Sequence, residues 1–335
     1  MTRGAALSGA LLVTLATPAT WPLALGAFLI RGGIVLVALP LVVLPTPVGL
    51  GNVLGPILTS IAFGSVSGEV LIVLGSMIVV AVAWLFLGGW LAAALEAEAI
   101  RIVALDGDVA GSGRLRVNPA TGRTAARVLA ARLVADIPLG LVLAWGLIRL
   151  VVVTYDELTS PLDVSTPIVL RVLRGAPEVV FGIGLAWMVV EIVGAVAARR
   201  IVLADDGVGG ALRFSVRFSV RSFARDPLSA LASFWVPTLG LIVVLVPSAL
   251  ATTAAAGAVR SVLRESGEPG DPVAVLVAVL SLVLLWVVGL LLAAVVCAWR
   301  TAVWTVAAIA RDGTFGGSTD RRPGDWRRDR SSGTL

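Results

Sequence analysis

The chain predicts an all-α membrane protein with six transmembrane helices, arranged as three tandem helical hairpins with short amphipathic interfacial helices. Three observations predict it. Six apolar runs are each at least as long as the roughly 20 residues that carry a helix across a bilayer core. Arginines gather in alternate connecting segments. One local pattern returns about every 100 residues. The 335-residue chain is 58% hydrophobic and 14% charged, whereas soluble domains carry about 25% charged residues. The excess apolar residues lie in blocks, so the bilayer replaces the solvent that a globular core would exclude.

The predicted spans cover residues 21–44, 70–95, 131–154, 177–198, 230–252 and 273–299. Residues 1–20 form an N-terminal interfacial segment. Its Arg3, the apolar stretch Ala5–Ala16 and Thr17-Pro18-Ala19-Thr20 also have the outline of a weak signal peptide. A short helix on the membrane surface ahead of the first span is the preferred reading. Residues 45–69 contain no Arg. Residues 96–130 hold Arg101, Arg114, Arg116, Arg123 and Arg127. Residues 155–176 combine Asp156, Glu157 and Asp163 with Arg171 and Arg174, and residues 199–229 are again Arg-rich. Basic loops stay on the cytoplasmic side, so both termini are expected in the cytoplasm of a bacterial cell, with the protein in its inner membrane. Arg171, Arg174, Arg260 and Arg264 depart from that pattern.

The repeat lies where the even-numbered spans end. Ala97–Gly107, Val196–Gly207 and Thr305–Gly313 each run from Ala, Val and Ile through arginine to an Asp-Gly turn. The units are residues 1–107, 108–207 and 208–313 of a six-span domain covering 21–313. A Gly-, Asp- and Arg-rich tail, 314–335, has the composition of a disordered segment. Gly49–Phe63, Thr166–Arg174 and Thr252–Arg264 read as short helices over the opposite face.

Composition excludes several kinds of chemistry. All 26 basic residues are Arg, and there is no Lys or His. A P-loop lysine, a Schiff base and an imidazole base or ligand are therefore absent. The one cysteine, Cys297, excludes an intramolecular disulfide and lies in an apolar run, where it reads as a small buried hydrophobe. Gly64-Ser65-Val66-Ser67-Gly68 centres on Val66, so it is no nucleophile elbow. No catalytic, cofactor-binding or metal residue is expected, no cofactor, and no enzyme activity. The net charge of +5 follows from insertion topology and implies no nucleic acid.

Charges within spans are costly and usually paired or functional. Arg31, Asp136, Arg149, Glu178 and Glu191 are the intramembrane polar candidates. Arg31 and Glu191 lie at compatible depths, about 15 Å and 10 Å from the inner edge, and are expected to pair, with Asp136 competing for Arg31. Arg149 and Glu178 belong to one hairpin and are expected to pair in the outer half. In Ala211–Arg225, Arg213, Arg217, Arg221 and Arg225 recur every fourth residue, forming one slowly drifting stripe on a helix. With Phe214 and Phe218 they form a candidate surface for anionic phospholipid headgroups or a membrane-protein partner. Alternation in the repeated Arg-Phe-Ser-Val also suits a strand, but no second strand is evident nearby. Gly88 with Ala92, Gly89 with Ala93, and Gly182 with Ala186 mark close helix contacts. Trp21, Trp90, Trp235, Trp299 and Trp304 fit an interfacial belt, whereas Trp84, Trp145, Trp187 and Trp286 read as packing residues.

Phe28–Gly51 contains Arg31-Gly32-Gly33 and Leu44-Pro45-Thr46-Pro47-Val48-Gly49. With the Asp-Gly exits, this resembles uncharacterised six-span bacterial integral membrane proteins. More distantly it resembles the membrane domain appended to some glycerophosphodiester phosphodiesterases. The resemblance is architectural, covers most of the chain and implies no catalytic residues. The function expected is a non-enzymatic integral membrane protein that supports a membrane process through anionic-lipid or partner binding. A small permease with a polar path near Arg31 and Glu191 comes second, and an intramembrane enzyme third.

Overall fold

The structure, a computed structural model, describes residues 3–38, 68–106, 121–159, 168–265 and 272–311. All regular elements among them are helical: α1 (Arg3–Ala16), α2 (Thr20–Phe28), a π-helical segment (Leu29–Gly33), α3 (Ile34–Ala38), α4 (Gly68–Ala83), a second π segment (Trp84–Gly88) and α5 (Gly89–Leu105). Then come α6 (Gly122–Thr159), α7 (Ile168–Gly175), α8 (Pro177–Ala204), α9 (Val208–Arg225), α10 (Pro227–Glu265) and α11 (Pro272–Arg311). Five helices are long and apolar enough to cross a membrane, and six if the bent pair Leu7–Ala16 and Thr20–Gly33 counts as one. The chain is a multi-pass membrane protein. The expected helices at Gly49–Phe63, the Asp-Gly turn at Asp312-Gly313 and the tail 314–335 lie outside the described residues.

Local chemistry explains where these helices start and stop. Ala176 and Asp226 each precede a proline, and both are non-helical, at φ −137° and −148°. Proline crowds the preceding residue out of the α region, while itself suiting the first helical turn. Pro177 and Pro227 therefore open α8 and α10. Thr121 Oγ1 accepts the Thr124 amide at 3.3 Å and caps α6. Between α1 and α2 the chain bends by 107°; there Trp21 Nε1 donates to the Thr14 carbonyl at 2.8 Å, and Thr20 Oγ1 to that of Thr17.

The separate helix expected at Thr252–Arg264 does not exist. α10 runs unbroken from Pro227 to Glu265, through Pro237 and Pro247. Thr252 and Thr253 return their hydroxyls to the carbonyls of Ser248 and Ala249, one turn back, both at 2.7 Å. This polar stretch therefore continues the helix.

Two compact units divide the chain. One comprises Met1–Val13, Ile100–Phe234 and Ala302–Leu335. It holds the antiparallel pair α6 and α8, with α9 packed along α8. Its apolar contacts include Val153, Ala176 and Val179, with Leu150, Val172 and Ile183 around them. The other comprises Thr14–Ala99 and Trp235–Thr301. In it α10 and α11 pair antiparallel, with Gly240 against Trp299 and Gly289 against Ser248. Cys297 is buried there with Ala24, Leu241 and Ala298, as its apolar setting predicts. Gly88 meets the Ile30 side chain across a gap in which a Cβ would stand 3.3 Å away, and Ala92 and Ala93 beyond it are buried. The predicted small-residue contact is present at that position.

Tryptophan burial departs from expectation. Trp304 is 4% exposed, against Phe234, not in an interfacial belt. Trp84, Trp145 and Trp187 are 39–55% exposed, not core.

Candidate functional site

Three groups of polar residues stand out, and the charges within spans come first. Arg31 lies in the first π segment and pairs with Glu96 on α5, not with Glu191. Glu191 on α8 instead faces Arg132 on α6 at 3.3 Å, with side chains 20% and 8% exposed. Gly194 makes this possible: a Cβ there would stand 2.8 Å from Arg132 Cδ and Nη1, so the arginine lies directly over the glycine. Sequence depth identified Glu191 as paired but missed Arg132, which sits at the first turn of its predicted span. Glu96 was missed because it follows the predicted end of its span, whereas α5 continues to Leu105. Asp136 is exposed, one turn beyond Arg132.

Arg149 and Glu178 pair as expected, at 3.1 Å, with both side chains nearly half exposed. Arg127 on α6 adds a third contact to this helix pair, reaching Asp205 at 2.6 Å. Three arginines of α6 thus face three carboxylates at the antiparallel positions of α8 and its C-cap. At the other end of α6, Arg171 on α7 holds Glu157 at 3.3 Å.

The second group is the Asp205-Asp206-Gly207 turn. Asp205 caps α8 in the left-handed conformation, φ 55°, which suits Asp and Asn better than most residues. Arg200 holds Asp206 at 2.5 Å and lies over the Phe214 ring at 4.5 Å. Its guanidinium therefore bridges the end of α8 and the start of α9. Both carboxylates of the turn are engaged by arginine. Among the described residues no group of three or more carboxylates and cysteines is placed to hold a metal ion.

The third group is α9, helical over Val208–Arg225 and so throughout the expected Ala211–Arg225. Ala211, Ser215 and Ser219, spaced one turn apart, form its buried face. Ser215 Oγ donates to the Val193 carbonyl of α8 at 2.6 Å. With Phe214 beside Arg200 and Ser215 beside Val193, α9 folds back along α8. Phe214 and Phe218 stack on each other at 5.7 Å and are half-buried. The exposed apolar side chains are Val216 and Val220, at 49% and 66%. Arg213, Arg217, Arg221 and Arg225 are all exposed. Val216 and Val220 lie three residues after Arg213 and Arg217, and so are their neighbours on the helix surface.

No known family, curated protein or solved structure matches the chain. The functional argument therefore rests on these three groups of residues.

A fully buried arginine completes the picture. Arg199 is 1% exposed, donates to the Ala195 carbonyl at 2.7 Å and lies over the Trp304 ring at 5.4 Å. In the sequence it looked like one of several loop arginines beside Arg200. Only the approach of Trp304, more than 100 residues on, sets it apart.

Proposed function

We propose that the protein is a non-enzymatic integral membrane protein that binds anionic phospholipid headgroups through α9, in support of a membrane process. One observation carries this reading: four arginines exposed on one helix, beside exposed Val216 and Val220, with the opposite face held to α8. Arginine suits phosphate recognition through its planar fork of donors, and a basic helix with an apolar flank suits the headgroup boundary. Basic residues near an anionic leaflet each contribute about 1 kcal/mol, within a Debye length of about 10 Å. Arg225 precedes Ala232, where the next candidate span begins, by about two helical turns. Arg213 lies about 18 Å further back along α9. Arg221 and Arg225 therefore contribute most to lipid binding, and Arg213 least.

This reading places the protein in a bacterial inner membrane, as three tandem hairpins with both termini and α9 in the cytoplasm. The uneven distribution of arginine supports that orientation. Native mass spectrometry of protein extracted gently from its own membrane tests the lipid role. Retained anionic lipid is expected, lost in Arg221→Gln/Arg225→Gln and reduced less in Arg213→Gln/Arg217→Gln. Equal retention in all three proteins refutes it.

A small permease is the second reading. It is favoured by the break in the helix around Arg31 and by that residue's pairing with Glu96. Uptake by liposomes containing the purified protein, compared with an Arg31→Gln variant, tests it.

A further inference from the structure

The α2–α3 rod is not a regular helix. Two helices join across a kink at Leu29–Gly33, where Gly32 has φ 108° and ψ −7°. L side chains rarely adopt that φ, so glycine is required there. A kink interrupts the regular carbonyl pairing of a helix. In lipid, a carbonyl left without a donor is expensive. Here two indoles supply donors on either side of Gly32. Trp84 Nε1 donates to the Ile30 carbonyl at 3.0 Å, and Trp286 Nε1 to the Val37 carbonyl at 3.3 Å.

Two further features belong to the same place. Trp84 itself opens the second π segment, so both helices leave α geometry where they meet. Beyond the break, a cavity of about 20 Å³ is lined by Val37, Ser248, Thr252, Trp286 and Gly289. That is room for about one water molecule, and it lies beside Val37 and Trp286.

We propose that the α2–α3 rod is hinged at Gly32, and that the indoles of Trp84 and Trp286 are latches holding the hinge in its broken form. In the closed form Gly32 takes ordinary helical angles and the two helices become continuous. Ile34–Ala38 then turns and swings relative to α2. Such a turn takes the Val37 carbonyl off Trp286. Arg31 lies inside the kinked segment, so its pairing with Glu96 changes with the hinge.

Hydrogen–deuterium exchange on the full chain in lipid nanodiscs tests this. Trp84→Phe and Trp286→Phe keep a ring in place while removing the donor. Each is expected to slow amide exchange at residues 29–38 by about tenfold, the effect of about one ordinary hydrogen bond on the balance, as the helix regains α pairing. Exchange in α6 and α8 is expected to stay unchanged, and Trp187→Phe to have no effect. Gly32→Ala disfavours the broken form by its backbone alone and is expected to act in the same direction, which keeps the test open if an indole variant does not fold. Unchanged or faster exchange at residues 29–38 overturns the hinge, because it leaves the indoles as packing groups.

Discussion

The Arg132–Glu191 pair gives a quantitative test of what holds α6 to α8. The charged atoms are 3.3 Å apart, and the side chains are 8% and 20% exposed. At an effective dielectric of about 20, such a separation corresponds to a gross attraction of about 5 kcal/mol. Desolvation of both ions offsets most of it. Removing one partner leaves the other charge buried, which typically costs about 3–5 kcal/mol. Both residues also make other contacts, so about 3 kcal/mol is expected for Glu191→Leu and for Arg132→Leu. The double variant replaces two charges with apolar groups and is expected to lose much less than the sum. The coupling energy is expected at the upper end of the range for contacting residues, about 2–3 kcal/mol. The assay is reversible unfolding of the purified protein in mixed micelles, run on all four members of the cycle. Additive losses would refute the pairing.

Other predictions follow from particular contacts. Gly289→Ala would drive a Cβ into the Ser248 hydroxyl and place it 3.1 Å from the Ser248 Cβ; a loss of about 1–3 kcal/mol is expected, and Ser248→Gly should restore most of it in a thermal melt. Gly194→Ala should displace Arg132 from Glu191, and its loss should largely vanish in an Arg132→Leu background. Ser215→Ala removes a fully buried hydroxyl bonded to the Val193 carbonyl; about 1 kcal/mol is expected, seen as faster proteolysis of α9. Glu178→Gln should leave the melting temperature unchanged, because its pairing with Arg149 is nearly half exposed.

Much of this architecture is legible in the sequence, and the failures have physical causes. Hydropathy placed the long helices because a bilayer core demands unbroken apolar length. The four-residue period of arginine placed α9, since a helix alone turns that period into a stripe. Arg149 with Glu178 was readable because both lie near the same ends of consecutive predicted spans. Arg31 was not: several carboxylates lie at similar depth, and depth says nothing about rotation about the helix axis. Glu96 and Glu191 become distinguishable only once the antiparallel registers are known. The kink at Gly32 and the π segment at Trp84 left no mark in composition, because a local change of backbone geometry does not alter hydropathy. Gly32-Gly33 was the only available hint. The polar run at Thr252–Thr253 looked like a break, yet threonine bonding to the carbonyl one turn back continues a helix as readily as it ends one.

The helices are longer than any membrane needs. α6 has 38 residues and α11 has 40, so each is about 57–60 Å long against a hydrocarbon core of about 30 Å. Roughly half of each helix therefore stands in water, and in that half Ala125, Val128, Val303 and Trp304 are buried as in a soluble protein. The same continuous helices are held by two different forces. Exclusion of water packs the emergent half, whereas within the bilayer, where lipid is as apolar as the side chains, close fit and hydrogen bonds must do so. Urea and detergent should therefore act on different parts of one rod: urea loosens the emergent end while the spans stay folded, and a harsh detergent does the reverse.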